Sequence, residues 1–174
     1  MIRLVTGGVR SGKSRFAERL AHEMGEQVLY VATGVAGDGE MERRIARHRE
    51  RRPGNWGLAE EPYALADALH QAADYDGVLI DCLSTWVANR VMEDSAPVKS
   101  SLEAEMEQEV LEMMNRLQEQ EAILVTSEVG LGGVSMNPMG RLFQDVLGCV
   151  NQRAAEQADQ VWMVISGIPW KVKG

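Results

Sequence analysis

The eight residues Gly7-Gly8-Val9-Arg10-Ser11-Gly12-Lys13-Ser14 constrain this chain more than any other feature. They fit the P-loop pattern G-x-x-x-x-G-K-[ST]. An apolar run at residues 2–6 precedes them, and Phe16, Leu20 and Met24 follow at helical spacing. Strand, glycine-rich turn and helix form the setting in which this pattern cradles phosphate. The glycines let backbone N–H groups converge on phosphate oxygens without side chains in the way. The following helix adds partial positive charge at its N-terminus. In such a loop Lys13 reaches the β- and γ-phosphates, and the Ser14 hydroxyl ligates Mg²⁺. A nucleotide ligand is the expectation.

Four further apolar runs, at residues 28–32, 78–81, 122–127 and 161–166, read as short strands buried on both faces. Helix-period segments separate them, with Leu65 and Leu69 before the third strand and Leu142, Val146 and Val150 before the fifth. Alternation of this kind predicts an α/β fold with a mostly parallel central sheet flanked by helices. Residues 170–172 are expected to add an edge strand. Residues 102–121 form a different helix: Leu102, Met106, Val110, Met113 and Leu117 make one stripe, which reads as core contact, and glutamates cover the rest. Residues 93–101 read as a mobile loop. At 174 residues with no linker or internal repeat, residues 1–174 are expected to be a single domain.

The chain is 45% hydrophobic with no apolar run near the ~20 residues of a membrane helix, so no membrane insertion is expected. Its start breaks into glycines and charges, unlike a signal peptide. Cys82 and Cys149 stand far apart in no metal or redox spacing, as in a reducing compartment. The reading is cytoplasmic. A net charge of −8 disfavours nucleic acid as a partner, but the cations are unevenly placed. Arg43, Arg44, Arg47, Arg49, Arg51 and Arg52 crowd ten positions opposed only by Glu50. A charge run is commonly a solvated helix face. In an acidic chain this one suits a phosphorylated ligand.

Three residues carry candidate roles. Asp81 ends the run Val78-Leu79-Ile80, where a P-loop needs a carboxylate for the magnesium shell; capping of the next turn is the plainer alternative. Glu128 follows the run at 122–127, on the sheet edge where sites of such folds gather. It orients water or acceptor there, or pairs with an arginine. His48 shares a predicted helix face with Met41 and Ile45, which alone would suggest a structural role. Arg44, Arg47, Arg49, Arg51 and Arg52 change that reading. Guanidinium groups disfavour a second positive charge and keep the imidazole neutral. A neutral imidazole attacks phosphorus, while arginines hold the charge of the phosphate attacked. His22 and His70 have no such setting and read as surface residues of helices.

Several segments together resemble one family. They are residues 4–15, Val28-Leu29-Tyr30-Val31-Ala32-Thr33, residues 44–53 with His48, Leu124-Val125-Thr126-Ser127-Glu128-Val129-Gly130, Val150-Asn151-Gln152-Arg153 and residues 161–167. In this order the series is similar to the bifunctional adenosylcobinamide kinase/adenosylcobinamide-phosphate guanylyltransferases of cobalamin biosynthesis. That resemblance implies a RecA-like P-loop NTPase fold and two reactions. In the first, GTP or ATP phosphorylates the aminopropanol hydroxyl of adenosylcobinamide. In the second, a histidine takes GMP from GTP, and adenosylcobinamide phosphate displaces it to give adenosylcobinamide-GDP.

The histidine position matches His48. The resemblance also implies contacts to the guanine nucleotide from Ala32, Thr33 and Gly34, from Arg49, Glu50, Arg51 and Arg52, and from Glu60 and Asp81. It further implies a homotrimer. Two departures stand out: some members carry glutamate where Asp81 stands, and some carry two adjacent histidines where this chain has Arg47-His48. Residues alone reach phosphoryl or nucleotidyl transfer with Mg²⁺. A simple P-loop small-molecule kinase without a covalent intermediate is the alternative. A regulatory GTP switch is disfavoured by the lack of an Asn-Lys-x-Asp motif, and a non-catalytic nucleotide-binding subunit by the arginine block.

Overall fold

The computed structural model describes residues 1–35, 53–93 and 99–174. Seven strands form one sheet: β1 (Ile2–Gly7), β2 (Val28–Ala32), β3 (Gly57–Glu60), β4 (Gly77–Asp81), β5 (Ala122–Val125), β6 (Gln160–Ile165) and β7 (Ile168–Lys173). Their order is β3-β2-β4-β5-β1-β6-β7. All neighbours pair in parallel except β7, which returns antiparallel along β6. Among the described residues the helices are α1 (Lys13–His22), α2 (Leu65–Ala68), α3 (Leu83–Glu93), α4 (Lys99–Arg116) and α5 (Pro138–Gln157). The chain is an α/β protein with a mostly parallel sheet flanked by helices, as its alternating pattern predicts.

The central strands are apolar throughout because both sheet faces are covered, and period-two alternation sorts their side chains. Leu4, Leu29, Val31, Val78, Ile80 and Leu124 face a core shared with α2, α3, α4 and α5. Val5, Val28, Tyr30, Leu79, Ile123 and Val125 face α1, which contributes Phe16, Ala17 and Ala21. On the first face Leu102, Met106, Val110, Met113 and Leu117 are each at most 2% exposed, so the stripe of the acidic helix is core.

Among the described residues Trp86 is the largest fully buried side chain. Its indole N–H donates to the Tyr63 carbonyl at 2.7 Å, tying α3 to the segment after β3. Trp86→Ala removes that bond and leaves a cavity, and is expected to lower the unfolding free energy by about 3–5 kcal/mol in urea titrations. A loss below ~1 kcal/mol would mean that the surroundings collapse into the space.

Several elements differ from expectation. The helix read over 102–121 runs from Lys99 to Arg116 instead, with Leu117 bonding back to Met113 and Met114 in a closing turn. Consequently the loop read over 93–101 narrows: Glu93 ends α3 and Lys99 starts α4, while residues 94–98 lie outside the described residues. The helix read around Leu65 and Leu69 is one α-turn followed by a 3-10 segment, Leu69–Asp74. The strand read at 122–127 stops at Val125: the Thr126 N–H still reaches the Val5 carbonyl of β1, but the Thr126 hydroxyl and the Ser127 carbonyl go to Asn151. The edge strand read at 170–172 extends over Ile168–Lys173. Among the described residues no helix is long and apolar enough to cross a membrane, and both cysteines are free.

Candidate functional site

The site is assembled where β1, β2, β4 and β5 end together. Parallel pairing places Ala32 opposite Asp81 and Asp81 opposite Val125, so three chain segments leave the sheet side by side. The Gly7–Ser14 loop leaves β1 beside them. Its turn closes with Ser11 N–H donating to the Gly8 carbonyl at 3.2 Å. The Gly167 N–H then anchors the Ser11 carbonyl from the β6–β7 hairpin at 2.8 Å. Gly12 adopts φ 94° as the cap of α1, a conformation that glycine reaches without steric cost. Among the described residues no side chain caps the helix, and no acidic residue occupies its first turn. The end is thereby left as a donor surface for an anion. Ser11 Oγ is buried inside the loop and meets no partner among the described residues.

Beneath the loop the predicted pair comes together. Ser14 Oγ donates to Asp81 Oδ1 at 3.3 Å, and the Tyr30 hydroxyl donates to Asp81 Oδ2 at 2.9 Å. Asp81 therefore faces the loop, with one carboxylate oxygen toward Ser14 and the other toward Tyr30. Lys13 bends over the loop, its Nζ 3.1 Å from the Gly8 carbonyl. A serine hydroxyl and a carboxylate fit Mg²⁺, a hard cation that takes one or two protein oxygens and completes its shell with water and phosphate.

Residues 32–34 are held next to this pair. The Thr33 side chain is fully buried, accepting from the Cys82 N–H at 2.9 Å and donating to the Cys82 carbonyl at 2.8 Å across a cis Asp81–Cys82 peptide. Its hydroxyl thus holds the backbone beyond Asp81. Ala32 and Gly34 are half-buried, and Glu60 is exposed at the end of β3, opposite Ala32. Val9 and Arg10 are exposed on the loop. His48, Arg49, Glu50, Arg51 and Arg52 lie outside the described residues, as do Arg43, Arg44 and Arg47. His22 is exposed against Trp56, with ring centroids 5.0 Å apart, and His70 is exposed.

Other residues of the site gave no signal in the sequence. Asn89 donates to the Thr33 carbonyl at 2.8 Å and to the Pro62 carbonyl at 3.0 Å, joining the ends of β2 and β3 to α3. Cys82 lies against Ser84 and Thr85, each oxygen 3.0 Å from its sulfur. Burial first, and then the Asp81 charge, push its pKa upward, which disfavours the nucleophilic thiolate. A groove of about 370 Å³ between α2, α3 and α4 includes none of these site residues. Its charges are satisfied internally, with Arg90 on Glu109 at 2.6 Å and Arg116 on Glu112 at 2.8 Å.

The fold and the site define an α/β protein with a glycine-rich turn, a lysine, a serine and a carboxylate converging on the carboxyl edge of a mostly parallel sheet. The family described as cobinamide kinase / cobinamide phosphate guanyltransferase matches residues 3–172, and the chain belongs to it. It is thus an enzyme of a bifunctional kinase and guanylyltransferase family. The chain is 44% identical over 173 residues to the bifunctional adenosylcobalamin biosynthesis protein CobP of Pseudomonas aeruginosa, covering 98% of this chain and 96% of that one. It is 41% identical to CobU, of the same description, from Salmonella typhimurium, covering 99% and 100% of the two chains. Against CobU of Escherichia coli the identity is 39%, with the same coverage.

Proposed function

We propose that this chain is a RecA-like P-loop NTPase that carries out both reactions of its family. It phosphorylates adenosylcobinamide with GTP or ATP, then joins GMP from GTP to the product, giving adenosylcobinamide-GDP. What carries the reading is the Ser14–Asp81 contact under the glycine loop, in a chain matched to the family from residue 3 to residue 172. In the kinase step the loop N–H groups and Lys13 hold the triphosphate, and Ser14 and Asp81 hold the metal of the nucleotide. Bound Mg²⁺ supplies charge neutralisation at the phosphates. In the guanylyl step His48 forms a bond to the α-phosphorus of GTP as pyrophosphate leaves. The phosphate oxygen of the acceptor then displaces His48. Arg49, Arg51 and Arg52 counter the charge at the reacting phosphate, and Glu50, Ala32, Thr33, Gly34 and Glu60 contribute to the guanine nucleotide site. The working assembly is a cytoplasmic homotrimer, supported by the family resemblance.

The test uses purified protein, Mg²⁺, adenosylcobinamide and GTP labelled at either the α- or the γ-phosphate. The expected product carries both labels: one phosphate arrives through phosphorylation and the other through guanylyl transfer. Label from the γ-position alone makes the protein a simple small-molecule kinase, and label from neither removes the whole reading.

A further inference from the structure

The kinase step needs a group to take the proton of the acceptor hydroxyl, and Asp81 is engaged by Ser14 and Tyr30. The geometry points to Glu128 as that base and to Asn151 as the residue that positions it, an assignment that rests on the proposed kinase activity. β5 lies between β1, which carries the glycine loop, and β4, which carries Asp81. Glu128, three residues past the end of β5, therefore stands between the two. Its N–H donates to the Gly7 carbonyl at 3.3 Å, and Thr6 Oγ1 donates to its Oε1 at 3.2 Å. One carboxylate oxygen is thus oriented by Thr6, the residue just before the loop, and the other lies outside that bond. Among the described residues Glu128 makes no ion pair; it is half-buried beside the loop.

The chain leading to Glu128 is fixed from below. Asn151 is 8% exposed in the middle of the twenty-residue α5, where an amide is costly unless both ends are bonded. Its Oδ1 accepts from Thr126 Oγ1 at 2.6 Å, and its Nδ2 donates to the Ser127 carbonyl at 3.1 Å. Both bonds go to the two residues that precede Glu128. Ser127 Oγ also lies 3.2 Å from Ser84 Oγ on α3, and the Thr126 N–H donates to the Val5 carbonyl at 2.9 Å. Helix α5, helix α3 and strand β1 therefore each hold the exit of β5, and that exit presents a carboxylate to the loop.

In the step assigned to it, the acceptor oxygen forms a bond to the γ-phosphorus while its proton passes to the Glu128 carboxylate. The bond from that phosphorus to the β–γ bridging oxygen breaks, and the electron pair leaves with the nucleoside diphosphate. The protonated Glu128 then returns its proton to solvent.

Glu128→Gln keeps the size of the side chain and removes its basicity. Its kinase kcat is expected to fall about 100-fold or more, with the KM for nucleotide held within about 3-fold. Guanylyl transfer to supplied adenosylcobinamide phosphate should stay within about 3-fold of the unmodified chain, because that half-reaction abstracts no hydroxyl proton. Asn151→Ala should lower the kinase kcat about 10-fold alone, yet add little in the Glu128→Gln background, since a positioning residue loses its effect with its target. A glutamine variant with kinase kcat within about 3-fold of normal overturns the assignment. So does one whose two activities fall together. Equal effects of Asn151→Ala in both backgrounds overturn the role of Asn151. An unmodified chain that phosphorylates no corrinoid overturns the proposed function itself, whereas a working unmodified chain with an equally fast glutamine variant overturns only this inference.

Discussion

A His48→Ala variant incubated with Mg²⁺ and GTP labelled at the α-phosphate is expected to keep no protein-bound label after denaturation. The unmodified chain should keep label that is acid-labile and alkali-stable, the stability pattern of a phosphorus–nitrogen bond. GTP labelled at the γ-phosphate should label neither protein, because that phosphate departs within pyrophosphate. The effect is expected to be total: removing the nucleophile removes the covalent route, and no other group of the site substitutes for it. Cys82, the thiol beside the site, has its pKa pushed upward by burial and then by Asp81, which disfavours its thiolate. The kinase half of the variant should continue within about 3-fold, since Gly7–Ser14 and Asp81 are untouched. Label that survives the substitution places the nucleophile elsewhere. Unlabelled but active wild-type protein makes direct transfer, without an intermediate, the better account.

How far the site could be read beforehand depended on how local its signals are. The positions of the glycine loop and of Asp81 on one sheet edge were legible because each is announced by its own segment: a spaced glycine pattern after a strand, and a carboxylate ending an apolar run. Their meeting through Ser14 follows from parallel strands that end on one edge. Tyr30, Asn89 and Asn151 gave no such signal, since their partners lie 51, 56 and 25 residues away in sequence. Tyr30 in particular reads as one more apolar strand residue until the register of β2 and β4 brings its hydroxyl to Asp81. Among elements, Val28–Ala32 coincides with its strand because both of its faces are buried. Gly57–Glu60 escaped notice because Gly-Leu-Ala-Glu has little strand propensity and alternates between half-buried and exposed positions, Leu58 being 43% exposed. Helix α3 hides its pattern differently. Beside the buried Trp86, Val87 and Val91 its sequence carries Ser84, Thr85 and Asn89, which bond within the site and interrupt the apolar stripe.

Gly7→Ala is expected to abolish nucleotide binding at concentrations that saturate the unmodified chain, whereas Gly8→Ala, one residue on, should be close to neutral. A Cβ at Gly7 would stand 2.5 Å from the Val164 carbonyl oxygen and 2.7 Å from Ser11 Oγ. Neither neighbour can yield cheaply. Gly7 is paired with Val164 in the β1–β6 ladder, so moving that carbonyl breaks the strand pairing that seats the loop. Ser11 Oγ is already buried, and the Ser11 carbonyl is held by Gly167. The cheapest relief is for the loop to lift off β6, which spreads the N–H groups proposed to hold phosphate and shifts Ser14 from Asp81. A weakening of Kd by about 100-fold, or about 2.7 kcal/mol, is the least expected. At Gly8 an added Cβ meets nothing within 4 Å among the described residues, so affinity should stay within about 3-fold. Calorimetric titration of both variants with Mg-GTP, alongside urea unfolding, decides the matter. Equal affinities would show that the loop re-forms around the added methyl. A Gly7→Ala loss of affinity matched by global unfolding would place the defect in the sheet. A loss of affinity with the fold intact ties phosphate binding to this one close approach between β1 and β6.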